Sequence, residues 1–245
     1  MWKKHRRLGT ALMITATLVI LMAGGALVYA ADYYPASADA LAALASTDAV
    51  TVETTGDGVV FLPDEPLAGL IFYPGGKVEH TAYAPLMRAL AEEGVLCVLT
   101  EMPLRLAVLD MNAADGIAEK YPQVTRWGIG GHSLGGAMAA SYAAAHGEEL
   151  DALILLAAYA TRPLPQDMAV VSLTGTADTV LNWDKYDQNR ANLPAAAQEI
   201  SIPGGNHAQF GAYGPQKGDG AASITAEAQL QAVADACLAV LLPRE

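Results

Sequence analysis

The chain has 245 residues, enough for one α/β domain with a sizeable core and too few for two large ones. Its net charge is −12. Because Lys3, Lys4, Arg6 and Arg7 precede every acid, the part after residue 30 carries 10 basic against 26 acidic residues, a net of −16. Such a surface repels phosphate backbones and excludes a nucleic-acid partner. The hydrophobic content of 53% is raised by the N-terminal segment, so a polytopic membrane protein is not indicated.

That segment opens with the basic block at residues 3–7 and continues as an uncharged run over residues 8–31. As a helix the run would reach about 36 Å, enough to cross a bilayer. The cationic block stays cytoplasmic, which puts the rest of the chain outside. The run is longer than a typical signal-peptide core, favouring an uncleaved membrane anchor. The alternative is a cleaved signal peptide and a secreted domain, since Val28-Tyr29-Ala30 before Ala31 is a plausible cleavage site. The expected organisation is a signal-anchor or signal peptide over 1–31, a tether over 32–48 with a short helix capped by Ser37, and a single α/β domain over 49–245.

Residues 50–54 and 59–62 flank Thr55-Gly56-Asp57-Gly58, a hairpin signal. Residues 70–73 form an apolar strand running into Pro74-Gly75-Gly76-Lys77. A helix is expected over 80–93, with Tyr83, Leu86, Met87 and Leu90 on one face, then a buried strand over 95–100 and a helix over 112–121. Residues 124–129 read as the strand before Gly130-Gly131-His132-Ser133-Leu134-Gly135-Gly136, and residues 137–145 as a buried helix after it. Further strands fall at 152–157, 168–174 and 198–202, and helices at 184–192 and 223–242. Apolar strands alternating with helices are the pattern of a parallel sheet covered on both faces. Cys97 and Cys237 lie in apolar patterns and read as buried small hydrophobes, a disulfide being the lesser alternative. No C-x-x-C or H-E-x-x-H spacing calls for a metal, and no organic cofactor is needed.

Strand, G-x-S-x-G and helix in succession make a nucleophile elbow, with Ser133 on a strained turn at a helix N-terminus. A serine hydroxyl is a weak nucleophile until a neutral imidazole accepts its proton and a carboxylate fixes that imidazole's tautomer. In such a fold these partners follow later strands in the order Ser, acid, His. Asp178, after the strand ending at Thr174, fits the acid better than the helical Asp184 and Asp187. His207 is the one histidine beyond Asp178. His132 is expected to pack beside Ser133, His146 to sit near a helix end, and His80 to stand exposed at a helix start or at the pocket rim. An attacked ester needs two converging N–H donors for its oxyanion. Leu134 is expected to supply one, and the loop after Tyr73 the other, from Gly76 or, as second choice, Lys77.

At these residues the sequence resembles the α/β-hydrolase superfamily, over about residues 49–242. More narrowly, residues 71–77, 130–136 and 204–211 look like bacterial hydrolases with one N-terminal hydrophobic segment, close to the small dienelactone-hydrolase-like branch. The resemblance implies a mostly parallel twisted sheet with helices on both faces and the antiparallel hairpin at its edge. It also implies a Ser-Asp-His triad on Ser133, Asp178 and His207. Two features depart from it. Tyr73-Pro74 stands where many members have His-Gly, and the nucleophile is serine where dienelactone hydrolases have cysteine, so their substrate does not carry over. About 10 residues separate the strands at 152–157 and 168–174, where large lids are usually inserted, which suggests an open site. The glycine-rich stretch at 208–222 is expected to form a wall or flap.

The expected function is hydrolysis of a small-molecule ester or related acyl substrate through an acyl-enzyme. The alternatives are an acyltransferase with the same triad and a non-catalytic binding module on a hydrolase fold.

Overall fold

The computed structural model describes residues 2–242. It divides into a unit ending at Tyr33 and a body beginning at Tyr34. The first unit is essentially one helix, α1 (Trp2–Ala31), whose stretch Leu12–Tyr29 is long and apolar enough to cross a membrane.

The body is built on an eight-stranded sheet of β1 (Val50–Thr55), β2 (Gly58–Pro63), β3 (Ala68–Tyr73), β4 (Val95–Leu99), β5 (Trp127–His132), β6 (Ala152–Leu156), β7 (Ala169–Gly175) and β8 (Gln198–Ile202). Its spatial order is β1-β2-β4-β3-β5-β6-β7-β8. The expected hairpin pairs β1 with β2 and adds to β4 antiparallel, and every remaining pairing is parallel. Helices α2 (Ala38–Ala42), α3 (Ala84–Glu92), α4 (Leu134–Ala145), α5 (Trp183–Asn189) and α6 (Ala226–Leu241) complete the body.

Successive strand residues point to opposite faces, and both faces are apolar. Leu70, Phe72 and Cys97 join a core shared with Leu90 of α3 and Cys237 of α6. Ile71, Tyr73 and Val98 join a second core with Ala139 and Ala140 of α4. The uninterrupted apolar runs in the sequence are therefore strands buried on two sides. Cys97 and Cys237 are both buried and unbridged; burial pushes the Cys237 thiol up to about 12 and holds that of Cys97 well above its ordinary value.

Two expectations are corrected. Residues 112–121 form no α-helix: Gly116 takes φ 71°, which reverses the chain, and only a 3₁₀ turn at Ala118–Lys120 follows. The strand expected over 124–129 begins at Trp127 and runs to His132, directly into Ser133, while the Val124 N–H closes a turn onto the Tyr121 carbonyl.

Part of the segment expected as a tether is packed on the body. The Tyr34 N–H donates to the Lys77 carbonyl (2.8 Å) and the Tyr34 carbonyl accepts from Glu79 (2.9 Å), pairing it with the end of the glycine loop. Ser37 caps α2 by accepting the Ala40 N–H, and Ala40 is fully buried.

Candidate active site

Ser133 joins β5 to α4 at φ 52°, ψ −120°. This conformation is disfavoured for any residue with a Cβ and costs about 1–3 kcal/mol. It persists because both sides are fixed. The Ser133 N–H donates to the Leu156 carbonyl of β6, and the Ser133 carbonyl accepts the Ala137 N–H inside α4. The turn also brings α4 hard against β3: a Cβ on Gly135 would lie 2.3 Å from the carbonyl oxygens of Tyr73 and Pro74. Only glycine fits there. Ser133 itself is partly exposed.

Asp178 and His207 lie in the loops after β7 and β8 and are both buried. Asp178 Oδ2 and His207 Nδ1 are 2.8 Å apart. A carboxylate can only accept, so Nδ1 carries the proton and Nε2 is left as the basic nitrogen. The other carboxylate oxygen accepts the Val180 and Leu181 N–H groups, each at 2.8 Å. Three donors thus hold a buried negative charge in one orientation. The two loops are tied together by the Ala177 N–H to the Gly205 carbonyl.

Behind His207 stands a brace that sequence reasoning missed. Gln229 of α6 is fully buried and bonds Asn206 twice, accepting its N–H (3.0 Å) and donating to its carbonyl (2.8 Å). A glutamine on the buried side of an otherwise apolar helix face was the available signal. Asp219 adds a second clasp, accepting from Ala208 (2.8 Å) next to His207 and from Thr179 (3.4 Å) next to Asp178.

Among the described residues, no hydrogen bond joins Ser133 to His207. What connects the two sides is His132, the residue before Ser133, whose ring lies 4.5 Å from that of His207. His132 is buried, and burial, reinforced by neighbouring His207, holds its pKa well below the ordinary value. Its Nδ1 is 2.8 Å from the Tyr83 hydroxyl, which also accepts the Gly75 N–H at 3.0 Å. Tyr83 was expected only as an apolar helix-face residue. Burial raises its phenol, which therefore stays protonated.

The glycine loop after β3 offers one uncommitted amide. The Gly75 N–H is taken by Tyr83, and the Lys77 N–H donates to the Arg105 carbonyl (2.9 Å). Neither the Gly76 N–H nor that of Leu134, the first residue of α4, has a partner among the described residues. The two residues adjoin: a Cβ on Gly76 would lie 3.0 Å from Leu134 Cδ2.

The other histidines and acids stand apart from this arrangement. His80 begins a 3₁₀ turn beside a small cleft lined by Pro74, Glu101 and Arg105. His146 stacks on Tyr142 at the end of α4. Asp184 and Asp187 are exposed on α5. The connection between β6 and β7 spans residues 157–168 and contains no helix. The glycine-rich stretch is strapped down rather than loose, its Ala212 bonded to Ala82 and Ser37. It lines a cavity of about 610 Å³ with Ser37 and Asp39, and Ser133 is not among the lining residues.

A family model described as alpha/beta hydrolase family matches residues 69–231. Several solved structures share the architecture. A dienelactone hydrolase from Anabaena variabilis ATCC 29413 aligns with a TM-score of 0.55 at 12% identity, over 78% of this chain and 99% of that one. A thermophilic esterase from the Planctomycetes species Thermogutta terrifontis aligns at 0.54 and 15%, over 80% and 94%. Carboxyl esterase 2 from Tuber melanosporum aligns at 0.55 and 13%, over 86% and 91%. At these identities the likeness is one of fold. A comparison with curated protein sequences finds no match.

Proposed function

Since the chain belongs to the alpha/beta hydrolase family, we propose that it is a serine hydrolase that cleaves a carboxylic ester or related acyl substrate through an acyl-enzyme. The observation that carries this reading is the strained backbone of Ser133, held at φ 52° at the turn from β5 into α4. Such strain persists where the surroundings over-determine it, and it exposes the hydroxyl at a helix N-terminus.

In this reading His207 Nε2 takes the Ser133 proton as the hydroxyl oxygen attacks the ester carbon. It returns that proton to the leaving alcohol, and a water molecule then releases the acid by the same steps. Asp178 keeps the Nδ1 proton in place and stabilises the imidazolium that forms. The unpaired N–H groups of Leu134 and Gly76 receive the charge that develops on the carbonyl oxygen. Two engaged neighbours, Gly75 and Lys77, support Gly76 as the second donor.

The esterases and the dienelactone hydrolase that share the fold support ester cleavage over other acyl chemistry. The test is labelling by a fluorophosphonate probe. We expect one label per chain, absent in Ser133→Ala; a folded protein that resists the probe would defeat the assignment.

We also propose that α1 serves as a single membrane anchor, or as a signal peptide removed on export, with the catalytic domain outside the cytoplasm. The basic residues ahead of its apolar stretch support that orientation. Mass spectrometry of the mature N-terminus separates anchor from signal, and a protease-protected body in intact cells would contradict both.

A further inference from the structure

Within the body, large apolar side chains that are more than a third exposed are few among the described residues. Leu41, Leu67 and Trp183 stand singly, whereas Leu104, Val108, Leu109 and Met111 are 44%, 50%, 55% and 45% exposed and fall within eight consecutive residues.

This strip is held against the glycine loop from both ends. The Arg105 carbonyl accepts the Lys77 N–H (2.9 Å). The Tyr73 hydroxyl donates to the Met111 carbonyl (3.0 Å) and accepts from the Ala114 N–H (2.8 Å). Tyr73 and Lys77 bracket Pro74, Gly75 and Gly76, and Gly76 adjoins Leu134. The 3₁₀ turn at Ala107–Leu109 also packs on α4.

The backbone makes the choice of residues stranger. Leu104 (φ 51°, ψ 22°) and Arg105 (φ 58°) are consecutive left-handed residues. Asparagine or glycine sits easily there, and a branched apolar side chain does not. Solvation and backbone conformation both argue against leucine at 104. Its presence beside three more exposed apolar side chains points to a contact made with something outside the chain.

We propose that the strip binds the apolar chain, alkyl or aryl, of the ester substrate next to its scissile carbonyl. The proposal rests on the hydrolase reading above. The strip is bonded through Arg105 to Lys77, the residue after Gly76, whose unpaired amide is assigned to the oxyanion, and the connection between β6 and β7 contains no helix. A chain lying on such an open surface is buried on one side only. Each methylene therefore raises kcat/KM by about twofold, less than the fourfold of full burial.

The test uses the full-length protein in lipid nanodiscs with two substrate series, p-nitrophenyl esters from acetate to octanoate and alkyl acetates from methyl to octyl. The first varies the acyl side and the second the alcohol side. kcat/KM rises with chain length in at least one series. Leu104→Asn, which suits the left-handed backbone, and Leu109→Ser, at an exposed position, each compress the longest-to-shortest ratio in that series by about threefold or more, with an unshifted thermal midpoint as the control for folding. A protein that takes the fluorophosphonate label yet shows two flat series, or variants that keep the wild-type ratio, overturns the strip and leaves the hydrolase reading standing. Flat series with concentration-dependent association would assign the strip to a second copy of the chain and equally overturn it. A folded protein that neither labels nor cleaves any ester overturns both.

Discussion

The Tyr83 hydroxyl is 2.8 Å from His132 Nδ1 while it accepts the Gly75 N–H, so one phenol joins the glycine loop to the residue that precedes Ser133. All three groups are buried, and water cannot replace the phenol. Tyr83→Phe leaves two buried polar groups without a partner, at about 1–3 kcal/mol each. We expect a loss of about 2–4 kcal/mol in urea unfolding. We also expect a roughly tenfold fall in kcat with KM little changed, because the loop carrying Gly76 loses its anchor. An unshifted unfolding midpoint with wild-type kcat would show that the phenol holds nothing in place.

Ser133 stores backbone strain that glycine would not feel. Ser133→Gly releases about 1–3 kcal/mol of strain and loses about 0.5–1 kcal/mol to the greater freedom of the unfolded chain. We expect a net stabilisation of about 1 kcal/mol, in a protein that no longer takes the fluorophosphonate label. Ser133→Ala keeps the strain and stays near wild type in stability. Calorimetry of the three proteins decides it, and Ser133→Gly melting below Ser133→Ala would remove the case for strain.

Asp178→Asn keeps the shape of the acid and reverses the role of one atom. Two N–H donors hold Oδ1, so the amide oxygen stays there and the amide NH₂ faces His207 Nδ1. The ring must then accept at Nδ1 and carry its proton on Nε2, where it cannot act as a base. We expect kcat to fall by about 10³–10⁴ with the fold intact. A loss under tenfold would mean that Asp178 does not orient the base.

Acid should weaken the fold before the carboxylates titrate. Burial lowers the pKa of His132 far below its ordinary value, and lowers that of His80 against the opposing pull of Glu101. Above about pH 6.5 both rings are neutral in the folded and unfolded chain alike, and this contribution to stability is fully present. Below about pH 6.5 the unfolded chain takes up these protons more readily than the folded one. Stability then falls with decreasing pH, by about 1.4 kcal/mol per unit for each fully excluded proton. His132→Asn, which can still accept from Tyr83, should flatten that decline in urea midpoints between pH 7.5 and 5.5. Identical slopes for variant and wild type would place the pH dependence elsewhere.

Local chemistry made much of the fold legible. The hairpin shows because Gly56-Asp57 sits between two β-rich runs, and the apolar strands show because a strand buried on both faces has nowhere to put a polar residue. Pattern failed where one residue outweighed the periodicity of its neighbours, as Gly116 does in the stretch expected as a helix. It also failed to show Tyr83 and Gln229 as polar anchors. A tyrosine or glutamine at a helical position looks alike whether its polar end meets water or a distant backbone amide.

The amino-acid order alone determined the chemical kinds and their succession: a serine between glycines at a strand-to-helix turn, an acid and then a histidine after later strands, and an amide-rich loop after an earlier one. Tertiary structure decided which atoms meet. It set Asp178 against His207 at 2.8 Å. It occupied the amides of Gly75 and Lys77 and left those of Gly76 and Leu134 unpaired. It laid four exposed apolar side chains beside that loop. The difference has a physical cause. Propensity and turn chemistry act over a few neighbouring residues and are written along the chain, whereas an unpaired amide or a contact between loops exists only once parallel strands bring distant segments together.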